Sequence, residues 1–323
     1  MQYRKLGKWG LPISVLSVGN HIDWGKNIPD EQTEEIMVTA YEAGVNYIDT
    51  AEKYAEGRCT ELLAQTMRKH NWPRESIILG TKISVRGLEG APPTNKGMHR
   101  KHIVELVEKN LKLYKTDYLD LLFCHRPDPA ITAEEVVTTM NHLIRQGKIL
   151  HWGTSDHDPT YLMEMFAVAE RLGLEGPAME QTWYNLFGRK RLEQDLLPLF
   201  KRYGMGITAY QPLCGGILTG KYIEGIPEDS RMQKSEWQRA GLTENRLNRV
   251  RQLKAIADEL DAPMPAFALA WTMKNPDMST CIAGARTVEH VKTNLQSLDI
   301  VEKLDDEIMQ RIAEILGDEL QIE

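Results

Sequence analysis

The chain has 323 residues, 42% of them hydrophobic, which is enough to bury a sizeable core. Its formal net charge of -7, from 39 Lys+Arg against 46 Asp+Glu, argues against a general nucleic-acid or anionic-membrane surface, since both want a basic excess. Cys59, Cys124, Cys214 and Cys281 have no CxxC spacing and read as reduced, inert thiols. The start MQYRKLGKWG has no apolar leader segment and no apolar run reaches membrane-span length, so a cytoplasmic protein without membrane insertion is expected.

After Gly7 and Gly10, the apolar run 13–19 (ISVLSVG) predicts a first strand, and a polar loop with His21, Asp23 and Trp24 follows. A helix opened by Pro29-Asp30 ends at Gly44. The run 47–50 (YIDT) predicts the second strand, 60–69 a helix, and 77–83 (IILGTKI) the third strand. A Gly/Pro-rich loop over 86–98 leads to 99–114, where apolar residues recur at helical spacing. Strands four to eight are predicted at 119–125, 149–156, 178–185, 206–213 and 280–285. The intervening helices are predicted at 132–146, 159–172 and 193–203. The seventh strand is followed by CGGILTGKY, a long polar insertion to about 243, and helices over 244–260 and 265–274. Helices over 288–298 and 305–316 close the chain.

Eight strand–helix units with near-continuously apolar strands predict buried parallel strands. In one chain of this length they predict an α/β fold, a single (β/α)₈ TIM-barrel domain over 1–323. An extra C-terminal helix and an insertion after strand seven complete it. A doubly wound sheet would want a glycine fingerprint after strand one, where NHIDWGKN stands instead. Asp49, Lys82, His125, Ser155, Gln181 and Tyr210 fall at or just beyond predicted strand ends, the face on which such barrels carry their sites.

The stretch YIDTAEKY begins one polar group that Lys82 and His125 extend. A Tyr54 phenol beside a Lys82 ammonium is expected to have a lowered pKa and to donate a proton to a developing alkoxide. Asp49 would hold Lys82 in place and keep it charged, and His125 would orient a carbonyl oxygen. Glu52 and Lys53 read as loop residues. Each of the four is individually more ordinary as a packing, capping or surface residue; their common placement carries the reading. No member is a good nucleophile, so a carbonyl receiving hydride from a cofactor fits better than covalent hydrolysis. A Schiff-base lyase using Lys82 would need a charge-poor lysine pocket, which Asp49 opposes. No His/Asp/Glu cluster has ligand spacing, so no metal site is expected.

YRKLGKWGLPIS, YIDTAEKYAEG, MHRKHIVE, HRPDP, HWGTSD, PLCGGILTGKY and IAGARTVEHVKTN span the chain. With them the sequence resembles the aldo-keto reductases, in the branch of the potassium-channel β-subunits and their bacterial relatives. The resemblance implies NADPH-dependent reduction of an aldehyde or ketone, with Asp49, Tyr54, Lys82 and His125 as the catalytic tetrad and Tyr54 as general acid. A small-molecule carbonyl is then the partner, with NADPH (NADP+) favoured over NADH; association into a homo-oligomer is left open. The channel subunits typically carry Asn where His125 stands, which favours a working enzyme over the alternative, a weakly catalytic redox-sensing regulatory subunit. By the same resemblance Ser155 and Gln181 hold the nicotinamide carboxamide and Tyr210 stacks on its ring. Leu213, Gly216 and Lys221 line the pyrophosphate and Arg231 binds a phosphate. Arg286, His290 and Asn294 serve the adenosine end. Asp156, His290 and Thr293 depart from the family's usual residues. His21, Asp23, Val85, Arg86, Arg126 and Trp183 are pocket candidates. They form either a polar pocket suited to a hydroxylated or charged carbonyl, or a set of solvated loop residues.

Overall fold

The computed structural model describes residues 1–228, 230–234, 239 and 241–322, with Arg231 and Lys234 described by backbone alone. A hairpin of β1 (Tyr3–Leu6) and β2 (Trp9–Ser14) precedes the sheet. Seven parallel strands follow: β3 (Leu16–Val18), β4 (Gly80–Ile83), β5 (Leu119–Cys124), β6 (Ile149–Ser155), β7 (Met179–Trp183), β8 (Gly206–Tyr210) and β9 (Met278–Ala283). Their order is β3-β9-β8-β7-β6-β5-β4, a sheet curled so that its two edges approach each other. Tyr47 and Ile48 fill the gap, through parallel bridges from Ile48 to Val18 and from Tyr47 to Ile78. The fold is therefore the (β/α)₈ barrel predicted, with its second strand reduced to these two bridges.

Strand alternation sorts the core into layers. Tyr47, Ile78, Leu121, Phe123, Met179 and Ile282 form one inner cluster with Leu6 and Ile13 of the hairpin. Leu122 and Cys124 pack instead with the α-helices, α1 (Asp30–Glu42), α2 (Arg58–Lys69), α3 (Arg100–Tyr114) and α4 (Ala133–Arg145) among them. Lys82 pairs in register with Phe123 and so points into the barrel, one layer above the apolar plug. Side-chain caps fix helix starts: Thr132 accepts from Glu135 N–H, Asp158 from Tyr161 N–H at the head of α5 (Pro159–Leu172), and Asp305 from Ile308 N–H.

The predicted first strand, 13–19, is two elements. Ile13 and Ser14 end the hairpin, and the sheet strand begins at Leu16. The apolar run is continuous because the hairpin's end plugs the same core that the strand borders. The helix predicted from 193 begins as a π-turn over Arg191–Leu196 before α6 (Leu197–Tyr203), whose Pro198 lacks the N–H an α-turn would use. A short helix, α7 (Arg231–Lys234), stands in the insertion, ahead of α8 (Glu244–Glu259) and α9 (Met264–Lys274). The helix predicted over 288–298 ends earlier, as α10 (Val288–Leu295). A separate α11 (Ser297–Lys303) precedes the closing α12 (Asp306–Leu316).

Gly7 turns the hairpin with φ +56, and a Cβ there would lie 2.3 Å from Gly204 O and 2.4 Å from Gly206 N at the start of β8. Gly7→Ala should therefore lift the plug off the barrel floor and cost about 2–4 kcal/mol in urea denaturation. An unchanged midpoint would show that the hairpin is not tightly docked.

Candidate active site

The polar layer starts at Asp49, immediately after the two bridging residues. Its Oδ1 accepts from the Tyr47 hydroxyl at 2.9 Å and the Gln181 amide at 3.2 Å. Lys82 Nζ lies 2.6 Å from Oδ1 and 2.7 Å from Oδ2. Nζ also donates to Thr50 O at 2.8 Å and to the Tyr54 hydroxyl at 3.2 Å. Three acceptor residues thus meet the three N–H groups of an ammonium that has no solvent exposure. Tyr54 reaches Lys82 because the chain reverses directly after it: Ala55, Glu56 and Gly57 all take left-handed backbone, at φ 48, 53 and 93. His125 follows β5, its N–H bonded to Ile83 O at 3.1 Å. Its ring stands edge-on to the Tyr54 ring, 5.6 Å between centroids, and His21 lies 5.5 Å from the same ring.

Burial dominates the electrostatics. It raises the Tyr54 phenol well above its usual pKa, the Asp49 charge adds to this, and Arg126 opposes it. The sign is opposite to that expected from Lys82 alone, because desolvation outweighs the neighbouring cation. Burial also draws Lys82 down, against the pull of Asp49. It pushes His125 to about 2, helped by the charges of Lys82 and Arg126. Tyr54 and His125 are therefore both neutral near pH 7, and each can donate a hydrogen bond.

Across the mouth, Ser155 and Gln181 are register partners on β6 and β7, and Trp183 and Tyr210 on β7 and β8. Arg126 donates to Ser155 Oγ at 2.9 Å, lies 3.1 Å from Asp156 and sits 5.9 Å over the Tyr210 ring. Asp156 takes a left-handed backbone, φ 53, a conformation that suits Asp. It accepts from the Tyr210 hydroxyl at 2.5 Å, with Arg191 at 3.8 Å. The Asp156 carboxylate, a departure from the family's usual residue, is thus held between two arginines and a phenol.

Leu213 leads into the turn Cys214–Thr219, where Gly215 and Gly216 are left-handed at φ 64 and 99, and Lys221 follows. His290, in the first turn of α10, accepts from Arg286 N–H at 3.3 Å. Burial, then Lys221 and Arg286, lower its pKa, which brings these three groups within electrostatic reach of one another. Asn294 is buried and donates to Gly284 O at 3.3 Å. Asp23 is buried as well, accepting from Asn20 at 2.9 Å and lying 3.6 Å from Arg286. Val85 packs on the neighbouring core, Trp183 packs over Gly188, and Arg86 is exposed. The side chain of Arg231 lies outside the described residues.

Three partnerships escape sequence reading. Tyr47 orients Asp49. Glu52, read as a loop residue, is buried and lies 2.9 Å from His102, whereas Lys53 makes a surface pair with Glu56. Glu180, fully buried on β7, lies 3.5 Å from Arg191. The periodic run over 99–114 marks His102 only as helical, and Glu180 alternates with site residue Gln181 on a strand buried on both faces, so neither carries a signal of its own.

The aldo/keto reductase family model matches residues 16–317. Two similar chains are each named "Probable voltage-gated potassium channel subunit beta". The one from Oryza sativa subsp. japonica is 38% identical over 98% of this chain and 97% of its own. The one from Arabidopsis thaliana is 38% identical over the same shares. A "Putative voltage-gated potassium channel subunit beta" from Schizosaccharomyces pombe is 37% identical over 98% of this chain and 93% of its own.

Burial pushes the Glu180 carboxyl from 4.5 up to about 8, with Thr154 and Arg191 opposing. The folded chain therefore holds this proton more tightly than the unfolded chain. Its contribution is fully present below pH 4.5 and is lost as the pH rises through 8. Relative to wild type, Glu180→Gln should gain on the order of 5 kcal/mol between those limits, read as denaturation midpoints against pH. A difference that does not change with pH would refute the buried, protonated carboxyl.

Proposed function

The chain belongs to the aldo/keto reductase family, a family of oxidoreductases, and from that premise we propose that it reduces an aldehyde or ketone to an alcohol with NADPH. The observation that carries the reading is the Lys82 ammonium bonded at once to Asp49 and to the Tyr54 hydroxyl. A reduced nicotinamide, when bound, would supply hydride to the carbonyl carbon. Tyr54, which keeps its proton near neutral pH, gives that proton to the carbonyl oxygen, and Lys82 stabilises the tyrosinate left behind until water reprotonates it. His125, neutral across the working range, donates a hydrogen bond that orients the same oxygen. Asp49 keeps Lys82 aimed, and an ammonium with every N–H engaged is a poor candidate for a Schiff base.

The residues present suit the cofactor. Ser155 and Gln181 offer polar groups from adjacent strands to a carboxamide, and Tyr210 offers a ring at the next strand end. The bare Gly215–Gly216 turn beside Lys221, with Arg286 and His290 nearby, suits phosphate groups. The cations Arg286 and Lys221 support NADPH over NADH. Arg126 and His21 beside Tyr54 support a hydroxylated or charged carbonyl substrate.

The relatives' printed names support a second reading, a regulatory subunit with weak catalysis. His125, a neutral hydrogen-bond donor beside Tyr54, supports the enzyme. Purified protein should oxidise NADPH with small aldehydes. Tyr54→Phe should lower turnover at least ~10²-fold while NADPH binding, read by fluorescence, stays intact. Undiminished turnover in that variant would sink the mechanism; tight NADPH binding without useful turnover in the wild type would favour the subunit. In a thermal-shift series NADPH should stabilise more than NADH, and Arg286→Ala should narrow the gap. Equal stabilisation by the two nucleotides would reject the preference.

A further inference from the structure

Glu52 lies between Asp49 and Tyr54 in sequence, yet it faces away from the tetrad and is buried against a different element. Its N–H donates to Lys82 O at 3.0 Å. Its Oε2 accepts from Ser84 N–H at 2.9 Å. Two bonds therefore fasten the Tyr54 turn to the strand end that carries Lys82. Its Oε1 lies 2.9 Å from His102 Nε2, and His102 is 1% exposed.

The partners of His102 define its protonation. Nδ1 lies 2.8 Å from Gly97 O, and a carbonyl oxygen only accepts, so Nδ1 carries a proton. An ionised Glu52 offers Nε2 only an acceptor at Oε1, so Nε2 carries one too. Both nitrogens donate, and the ring is an imidazolium. Burial works against that charge, but the bonds to Glu52 and to Gly97 outweigh it and raise the ring's pKa above 6.5. The charged and titratable neighbours are His99, 6.2 Å away ring to ring, and Glu105, both from α3 and its cap; Asp128 binds Met98 N–H, and on the strand side only the Lys82 backbone carbonyl approaches Glu52. Of these, Glu105 adds to the charge on His102.

The pair joins three loops. Gly97 N–H is bonded to Val85 O at 2.7 Å, and Asp128, which holds Met98, lies three residues after His125. We propose that Glu52 and His102 are positioning residues: a protonated clamp that holds the Tyr54 turn against Lys82 and releases it when His102 loses its proton. The inference rests on the reductase reading for its kinetic consequence, but the clamp itself concerns only this chain's contacts. With its folded pKa raised, the imidazolium's hold is complete below pH 6.5 and is lost as pH rises through the folded value.

The test reads Tyr54 directly, on the full chain with tyrosine ring carbons labelled, the Tyr54 Cζ signal being assigned by its absence in Tyr54→Phe. In wild type that signal should shift with pH on a midpoint shared with the His102 ring proton, above 6.5. In His102→Gln, which still offers a donor to Glu52 but does not titrate, the shift should vanish from that range. In Glu52→Gln the His102 midpoint should fall by at least one pH unit. Unfolding midpoints of each variant separate loss of the clamp from loss of the fold. A Tyr54 signal that follows the same curve in wild type and His102→Gln overturns the proposal, as does a His102 midpoint at or below 6.5. With a small aldehyde and NADPH varied up to saturation, kcat should fall on the same midpoint in wild type and hold level in His102→Gln, with KM for NADPH unchanged. Absent turnover in wild type would refute the reductase reading, while the Tyr54 signal still decides for or against the clamp.

Discussion

A lysine with no access to water organises this barrel. Removing an ammonium from solvent costs several kcal/mol even after relaxation, and only a counter-charge with full hydrogen bonding offsets it. Lys82 meets both demands at once, with Asp49 as counter-ion and the Thr50 carbonyl and Tyr54 hydroxyl taking the remaining protons. Asp49 is saturated in turn by Tyr47 and Gln181. These bonds tie the 47–50 segment to β4 and β7, on either side of the barrel interior. That segment has only two strand bridges of its own, so the polar layer does part of the closing that a longer strand would do.

The chemistry follows from the same desolvation. Below the ion pair lies the apolar cluster of Phe123, Leu121 and the hairpin's Leu6 and Ile13. Burial there disfavours every charge except the one that is compensated. It pushes the Tyr54 phenol up and the His125 imidazole down, and both shifts end in a neutral donor. One ion pair flanked by two neutral donors suits an oxygen that gains negative charge during reaction. In the proposed reduction the donors would cost little to bring near it, and the cation would stabilise what the proton donor becomes.

Much of this was legible in the sequence, for a physical reason. Parallel strands buried on both faces read as apolar runs, and a lone Lys or His at the end of such a run stands out, as Lys82 and His125 do. What was not legible depends on contacts between distant segments. Ile13 and Leu16 are equally apolar, so nothing in the letters separates a plug from a strand. Glu52 finds His102 fifty positions away, and only the fold brings them together. The direction of the Tyr54 shift was misjudged because sequence shows the neighbouring charge but not the extent of burial, and burial is the larger effect. Asp156 looked out of place until its left-handed backbone and its two arginines were seen together.

The cations at the mouth make a further point about pre-organisation. The chain is acidic overall, yet Arg126 and Arg191 converge on Asp156, and Arg286 lies against Asp23. An arginine side chain loses considerable rotamer freedom when it binds an anion. Here part of that ordering is already done by a carboxylate that belongs to the fold. The acid lowers the net charge offered to a ligand, which weakens long-range attraction, but it leaves the guanidinium aimed. Arg126 shows both sides of this: one nitrogen binds Ser155 and another faces Asp156, so its position is fixed from two directions. The logic that governs Lys82 at the bottom of the site is repeated at its rim. A cation is placed by an acid the chain supplies, and the geometry exists before any ligand arrives.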